Sequence, residues 1–203
     1  MILASQSPRR KEILEHAGFS FAVHAAEIDE TPLDRETPPQ MVERLARTKG
    51  HATVPFARKL GDDLIIAADT IVWTPDLGML GKPADAQDAL RMLTLLSGRT
   101  HSVTTGVSII RIVGTATREH TFHETTEVSF HMLDDAQLRA YVASGEPLDK
   151  AGAYAIQGRG AVLVRSIRGD YGNVVGLPLS RLVHELDVVY DGTHDFVLDA
   201  LGG

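Results

Sequence analysis

The chain has 203 residues, enough for one α/β domain with a sizeable core or for two small lobes sharing a cleft. Its net charge of −7 argues against polyanionic partners such as duplex nucleic acid, and the absence of cysteine excludes disulfides, zinc–thiolate sites and thiol chemistry. No stretch approaches the ~18 apolar residues of a membrane span, and the first ten residues lack the long apolar region of a signal peptide, so a cytoplasmic protein is expected. Basic residues nevertheless occur in unusual local settings, which suggests a small anionic substrate held in a local positive pocket on an acidic protein.

In chain order, Ile2 to Ala4 read as a short buried strand. A helix follows from about Pro8, with Ile13, Leu14 and Ala17 inward and Gly18 as its stop. Phe19 to Ala25 read as a second strand, and Thr31 to Pro39 as a loop. A long helix is predicted from Gln40 to Lys59, interrupted or ended near Pro55. Leu64 to Ala68 form an apolar run of the central-strand kind, continued by Ile71 to Trp73. Asp85 to Leu96 carry apolar residues at helical spacing, with a stop at Ser97-Gly98. His101 to Val113 and Thr121 to Met132 are extended, with a turn at Gly114. Asp134 and Gln137 match a capping box opening a helix to about Ala143. Ala161 to Val164 read as a strand, and Leu179 to Leu186 and Phe196 to Leu201 as helices. The alternation makes the class α/β, with a β-rich middle containing antiparallel pairs, in one compact unit of two lobes.

Five features carry candidate chemistry. Ser7 is a good N-cap and Pro8 a good first helical residue, which puts Arg9, Arg10 and Lys11 at a helix N-terminus. Cations are unfavourable there unless an anion is present, in which case they complete a phosphate site. The same pattern also reads as a solvated basic turn. Asp69 follows Leu64-Ile-Ile-Ala-Ala68 and precedes Ile71. A carboxylate in such a setting must be paired or bind a metal, so it is expected at a strand end facing a cleft, as a metal ligand or general base. Its bland alternative is a turn cap. Glu27, Asp29 and Glu30 form a second acidic cluster, either a solvated loop or, with Asp69, an oxygen site for Mg²⁺ or Mn²⁺.

Lys49 lies at i+7 from Val42, on or beside the apolar stripe of its helix, where it either snorkels or faces a polar cleft. Lys82 sits in the rigid turn Gly81-Lys82-Pro83. Two lysines aimed at one cleft would serve a triphosphate. Finally, Asp149 to Gly160 form a small-residue loop that is not a Walker loop. Gln157 in it offers an acceptor and a donor, complementary to the imide edge of uracil or thymine, or alternatively a satisfied amide in a tight turn. His101 reads as structural, and the nine histidines show no metal-ligand spacing.

Together and in this order, Ser5-Gln-Ser-Pro-Arg-Arg10, Glu27-Ile-Asp-Glu30, Ala46 to Lys49, Ala68-Asp-Thr70, Gly81-Lys-Pro83, Ser97 to Val103, Asp149 to Gly158 and Gly176-Leu-Pro178 resemble the Maf family of nucleotide pyrophosphatases, from residue 2 to about residue 186. The resemblance implies an elongated mixed sheet with flanking helices and a deep cleft between two lobes, similar to inosine-triphosphate pyrophosphatases. It implies hydrolysis of nucleoside triphosphates to the monophosphate plus pyrophosphate, with a divalent cation, and a homodimer. By position, Asp69 looks like the general base, and Glu30 with Asp69 like the metal ligands. Ser7, Arg10, Lys49 and Lys82 match phosphate-handling positions, and Arg9, Thr70 and Gln157 match positions that separate substrate subgroups, here resembling the dTTP/UTP branch.

Thr48 and Gly50 depart from the Glu and Ala more usual beside the lysine, and Gly50 should weaken its helix by about 1 kcal/mol relative to Ala. Gly172 stands where many relatives carry an aromatic. The rival functional class is a nucleotide-binding regulator of septum formation or cell division that acts through a protein partner. An RNA-binding module is disfavoured by the acidic balance and the 5% aromatic content.

Overall fold

The structure is a computed structural model and describes residues 1–202. It has a mixed α/β fold with a seven-stranded sheet. The strands are β1 (Ile2–Ala4), β2 (Ala22–Val23), β3 (Leu64–Thr74), β4 (Gly78–Leu80), β5 (Thr100–Val113), β6 (Ala116–Phe130) and β7 (Val164–Arg168). Their order is β2-β1-β3-β5-β6-β7, with β4 paired to β3. β1 runs parallel to both β2 and β3, whereas β4 on β3 and β7 on β6 are antiparallel. The helices are α1 (Pro8–His16), α2 (Pro38–Leu60), α3 (Ala86–Leu96), α4 (Asp135–Ala143), α5 (Tyr171–Val175), α6 (Leu179–Tyr190) and α7 (Phe196–Ala200). The chain forms two compact units, and β3, β5 and β6 each supply residues to both.

The first unit comprises residues 1–69, 105–124 and 176–203. β1 and the first five residues of β3 are buried on both faces, which is why they read as continuous apolar runs rather than as alternations. Side chains alternate along a strand, so Leu3, Ile66 and Ala68 enter one core with Leu14 of α1 and Leu182 and Leu186 of α6. Ile2, Ala4, Ile65 and Ala67 enter the opposite core with Ala57 of α2 and Ile110 of β5. α2 begins with a capping box, Thr37 with Gln40, and ends at Gly61 in the left-handed region. Pro55 does not break it. His51, whose carbonyl Pro55 cannot bond, is exposed along with Pro55, so water can take over that carbonyl while buried Ala57 holds the helix on the sheet. The second strand is shorter than expected, only Ala22–Val23.

The second unit comprises residues 70–104 and 125–175. In α3, Ala89, Met92, Leu93 and Leu96 are all buried, the i, i+3, i+4, i+7 stripe of a core-facing helix. They pack with Val72, Leu80, Val103, Phe130, Leu138, Tyr141 and Tyr154. The Asp134–Gln137 capping box opens α4 as predicted. The strand expected over 161–164 is displaced: Gly158–Leu163 is a 3₁₀ segment, and β7 begins at Val164. The short β4 and α5 were not foreseen. α5 starts behind Asp170, whose Oδ1 accepts the Asn173 N–H at 2.5 Å.

Candidate active site

Alternation along β3 puts Ile65, Ala67 and Asp69 on the face that α2 covers. Two glycines allow α2 to come close. A Cβ on Gly106 of β5 would stand 2.4 Å from the backbone carbonyl of Val42. A Cβ on Gly50 would stand 2.9 Å from Cδ1 of Ile110 and 3.6 Å from Cβ of Ala67. Gly50 therefore lies directly over Ala67, and its neighbour Lys49 comes down beside Asp69. The helix-weakening Gly50 has a packing reason: at this point the helix touches the sheet.

Lys49 Nζ is 2.6 Å from Oδ1 of Asp69 and 2.6 Å from Oε1 of Glu30. The Lys49 and Asp69 side chains are only 15% and 14% exposed, while Glu30 is 55% exposed. The expectation of a carboxylate at a strand end is corrected. Asp69 lies in the middle of the eleven-residue β3, at the partly open step Asp69–Thr70, and what makes this tolerable is the ammonium beside it. It caps no turn. Lys49 does not simply snorkel to solvent, since its ammonium donates to Asp69 Oδ1.

Arg10 is 9% exposed. Its Nε donates to the Gly176 carbonyl at 2.7 Å and its Nη1 to Ser5 Oγ at 3.0 Å. Burial pushes the guanidinium below its ordinary value, and the Arg9 charge adds to this, while Asp69 and Glu30 oppose both. Arg10 therefore lies within electrostatic reach of both carboxylates and also ties α1 to the 176–178 segment. Ser7 is the N-cap of α1, but its side chain makes no capping bond, and its own N–H donates to Ser5 Oγ at 3.2 Å. Ser7 and Arg9 are half-buried in the same first turn. Ser5, quoted in the motif but given no role there, is the acceptor that organises this turn.

In the second unit, exposed Lys82 and half-buried Gln157 are carried on connected loops. The Gly152 N–H donates to the Gly81 carbonyl at 3.0 Å, joining the Gln157 loop to the Lys82 turn. A Cβ on Gly152 would stand 2.9 Å from Val72, so the loop packs on β3 two residues past Thr70. The Gln157 side chain makes no capping bond to the 3₁₀ segment that follows. Tyr154 in the same loop bonds His101 at 2.8 Å. The burial of His101, together with its edge-on packing against Phe130 and Tyr154, agrees with a structural histidine.

The donor set can be tested against the expected cation. Among the described residues no group of three or more His, Asp or Glu could hold a metal alone. Glu30 and Asp69, however, already converge on one positive centre. A pair of carboxylates suits Mg²⁺, which takes one or two of them and completes its shell with water and substrate phosphates. The residues fit that kind of shared site and not an all-protein cage.

Comparison along the sequence shows the family. The model of the Maf-like protein family matches residues 1–189. A dTTP/UTP pyrophosphatase of Bacillus cereus (strain AH820) is 50% identical over 186 residues, covering 92% of this chain and 93% of that protein. A dTTP/UTP pyrophosphatase of Bacillus anthracis matches to the same extent, and one from Bacillus cereus (strain AH187) is 48% identical over 186 residues with the same coverage. With its family pattern spread along β1, α1, α2, β3 and the 150–160 loop, this chain belongs to the Maf family.

Proposed function

We propose that the protein hydrolyses nucleoside triphosphates, dTTP and UTP foremost, to the monophosphate and pyrophosphate. The observation that carries this reading is the convergence of Asp69 and Glu30 on Lys49, in a chain half identical to dTTP/UTP pyrophosphatases. In this reading the Asp69 carboxylate orients a water and takes its proton as the water oxygen attacks the α-phosphorus. The bond from the α-phosphorus to the bridging oxygen breaks, and the electron pair leaves with pyrophosphate. Lys49, Lys82 and Arg10, with Ser7 at the start of α1, offset phosphate charge that grows on the leaving group. Glu30 and Asp69 would hold a divalent cation, Mg²⁺ or Mn²⁺, which supplies further charge neutralisation when bound.

Gln157 reads the imide edge of uracil or thymine through its carbonyl and amino groups, with Arg9 and Thr70 completing the choice of substrate. The same reading takes the enzyme to be a cytoplasmic homodimer, as the family resemblance implies. The negative charge and the lack of any described helix long and apolar enough to cross a membrane are compatible with it.

The test is pyrophosphate release from a panel of dTTP, UTP, CTP, GTP and ATP with Mg²⁺ or Mn²⁺. Pyrophosphate together with dTMP or UMP is the expected pair of products. Release of orthophosphate, or binding without turnover, overturns the reading, the latter in favour of a nucleotide-binding regulator.

A further inference from the structure

We infer that Glu146 and Tyr141 are positioning residues that set nucleobase selectivity, by holding the backbone on both sides of Gln157 in one conformation. The inference rests on the assignment of Gln157 as the base-reading side chain.

The Glu146 carboxylate closes a ring of hydrogen bonds around the Gln157 segment. Its Oε2 accepts the N–H of Arg159 at 3.1 Å, and its Oε1 accepts the N–H of Gly160 at 2.9 Å. Before Gln157, the Ala155 N–H donates to the Tyr141 hydroxyl at 3.1 Å. That hydroxyl in turn donates to Glu146 Oε1 at 2.9 Å. The path Ala155–Tyr141–Glu146–Gly160 thus brackets Gln157 from two residues before it to three residues after it. Lys150 Nζ donates to the Glu146 backbone carbonyl at 2.6 Å, which pins the carboxylate's own main chain.

The loop is shaped to admit this clamp. Gly158 has φ +64°, and a Cβ there would lie 2.8 Å from Glu146 Oε2. A Cβ on Gly160 would lie 2.2 Å from the Ala155 carbonyl and 2.6 Å from the Tyr141 hydroxyl. The glycines that allow close approach would otherwise leave the segment loose. Partial burial acts to raise the Glu146 carboxyl, but the Gly160 and Arg159 N–H groups, the Tyr141 hydroxyl and the Lys150 charge together hold it below its ordinary value. Burial pushes the Tyr141 hydroxyl well above its ordinary value, so it stays protonated as the donor. The clamp is therefore a charge-assisted network, fully formed at neutral pH.

Reading a base edge requires an amide held to within a fraction of an ångström. None of the phosphate-handling residues belongs to this network. Loosening it should blur the choice of base more than it slows phosphate chemistry.

The experiment measures kcat and KM for UTP, dTTP, CTP and GTP with Glu146→Gln, Tyr141→Phe and Gln157→Ala. Glu146→Gln keeps the side-chain size but turns one acceptor towards its N–H partners as a donor, and leaving such a group unsatisfied corresponds to about a tenfold effect. Expected is a rise in KM for UTP of about tenfold, a smaller fall in kcat, and an equal narrowing of the UTP-to-CTP ratio in all three variants. If Gln157→Ala loses the ratio while both clamp variants keep it, the clamp role is overturned and base reading by Gln157 stands. If Gln157→Ala itself keeps the ratio, base reading fails and the clamp role fails with it. A merely structural role lowers activity with every nucleotide alike and leaves the ratio intact. Should Glu146→Gln not fold, Tyr141→Phe decides alone.

Discussion

Lys49 Nζ stands 2.6 Å from Asp69 Oδ1, twenty residues away in sequence, and shares its charge with Glu30 at the same distance. The ammonium offsets the cost of keeping Asp69 inside β3, and the carboxylate remains available to a water. Asp69→Asn should leave the fold intact, because Asn keeps the volume and one acceptor for Lys49. Pyrophosphate release should fall by about 10²- to 10⁴-fold, the usual size of a general-base contribution. Activity close to wild type in this variant removes Asp69 from the chemistry.

Glu30 is the more exposed of the two carboxylates and tolerates replacement more easily. Glu30→Gln should raise the Mg²⁺ concentration needed for half-maximal activity by about tenfold, in line with losing a charged oxygen from a shared site. Mn²⁺ titration by calorimetry with a non-hydrolysable nucleotide reads the same loss without turnover. Unchanged metal dependence in both measurements excludes Glu30 as a ligand.

Gly106 and Gly50 set the distance from α2 to the sheet by different margins. At Gly106 an added Cβ meets the Val42 backbone at 2.4 Å, which cannot give way without moving the helix. Gly106→Ala should therefore destabilise by about 1–3 kcal/mol or more and displace Lys49 from Asp69, lowering activity as well. At Gly50 the contact is the Ile110 Cδ1 tip at 2.9 Å, which can shift, and the gain in helix propensity, about 1 kcal/mol, offsets the crowding. Gly50→Ala should be near neutral in stability. Urea denaturation with pyrophosphate release checks both, and equal losses at the two positions contradict this account.

The sequence made legible whatever is encoded locally. β1 and β3 announce themselves as apolar runs, α3 by its stripe, and α4 by the Asp134–Gln137 box. The residue types at Asp69, Lys49 and Glu30 were conspicuous for the same reason, since each interrupts or flanks an apolar pattern. Asp69 and Glu30 were expected at one site; that Lys49 Nζ stands between the two carboxylates was not legible, because its approach depends on Gly50 and Gly106 at contacts between distant segments. Pro55 misled because local propensity takes no account of tertiary support for α2. Residues 161–164 misled because the Glu146 carboxylate curls the backbone just before them, drawing in the Arg159 and Gly160 N–H groups. Glu146 was given no role from the sequence, since nothing in its immediate neighbours signals its partners Arg159 and Gly160.

His101 supplies a pH test of the second unit's core. It is 2% exposed, its Nε2 shares a hydrogen bond with the Tyr154 hydroxyl, and its Nδ1 has no hydrogen-bond partner. Burial lowers its pKa from the ordinary 6.5 to about 4. Between those values the unfolded chain binds the proton and the folded chain does not, so stability rises with pH across that window. The contribution is fully present above pH 6.5 and is lost as pH falls towards 4, on the order of 3 kcal/mol in all. His101→Gln keeps an acceptor for Tyr154 but cannot titrate. It should be less stable than wild type at pH 7 through imperfect packing, and the gap should close as pH is lowered towards 4. Urea denaturation of both proteins at half-unit pH steps measures the gap, which cancels the carboxylate titrations common to the two. A gap that stays constant from pH 7 to pH 4 shows that His101 is not held neutral by burial.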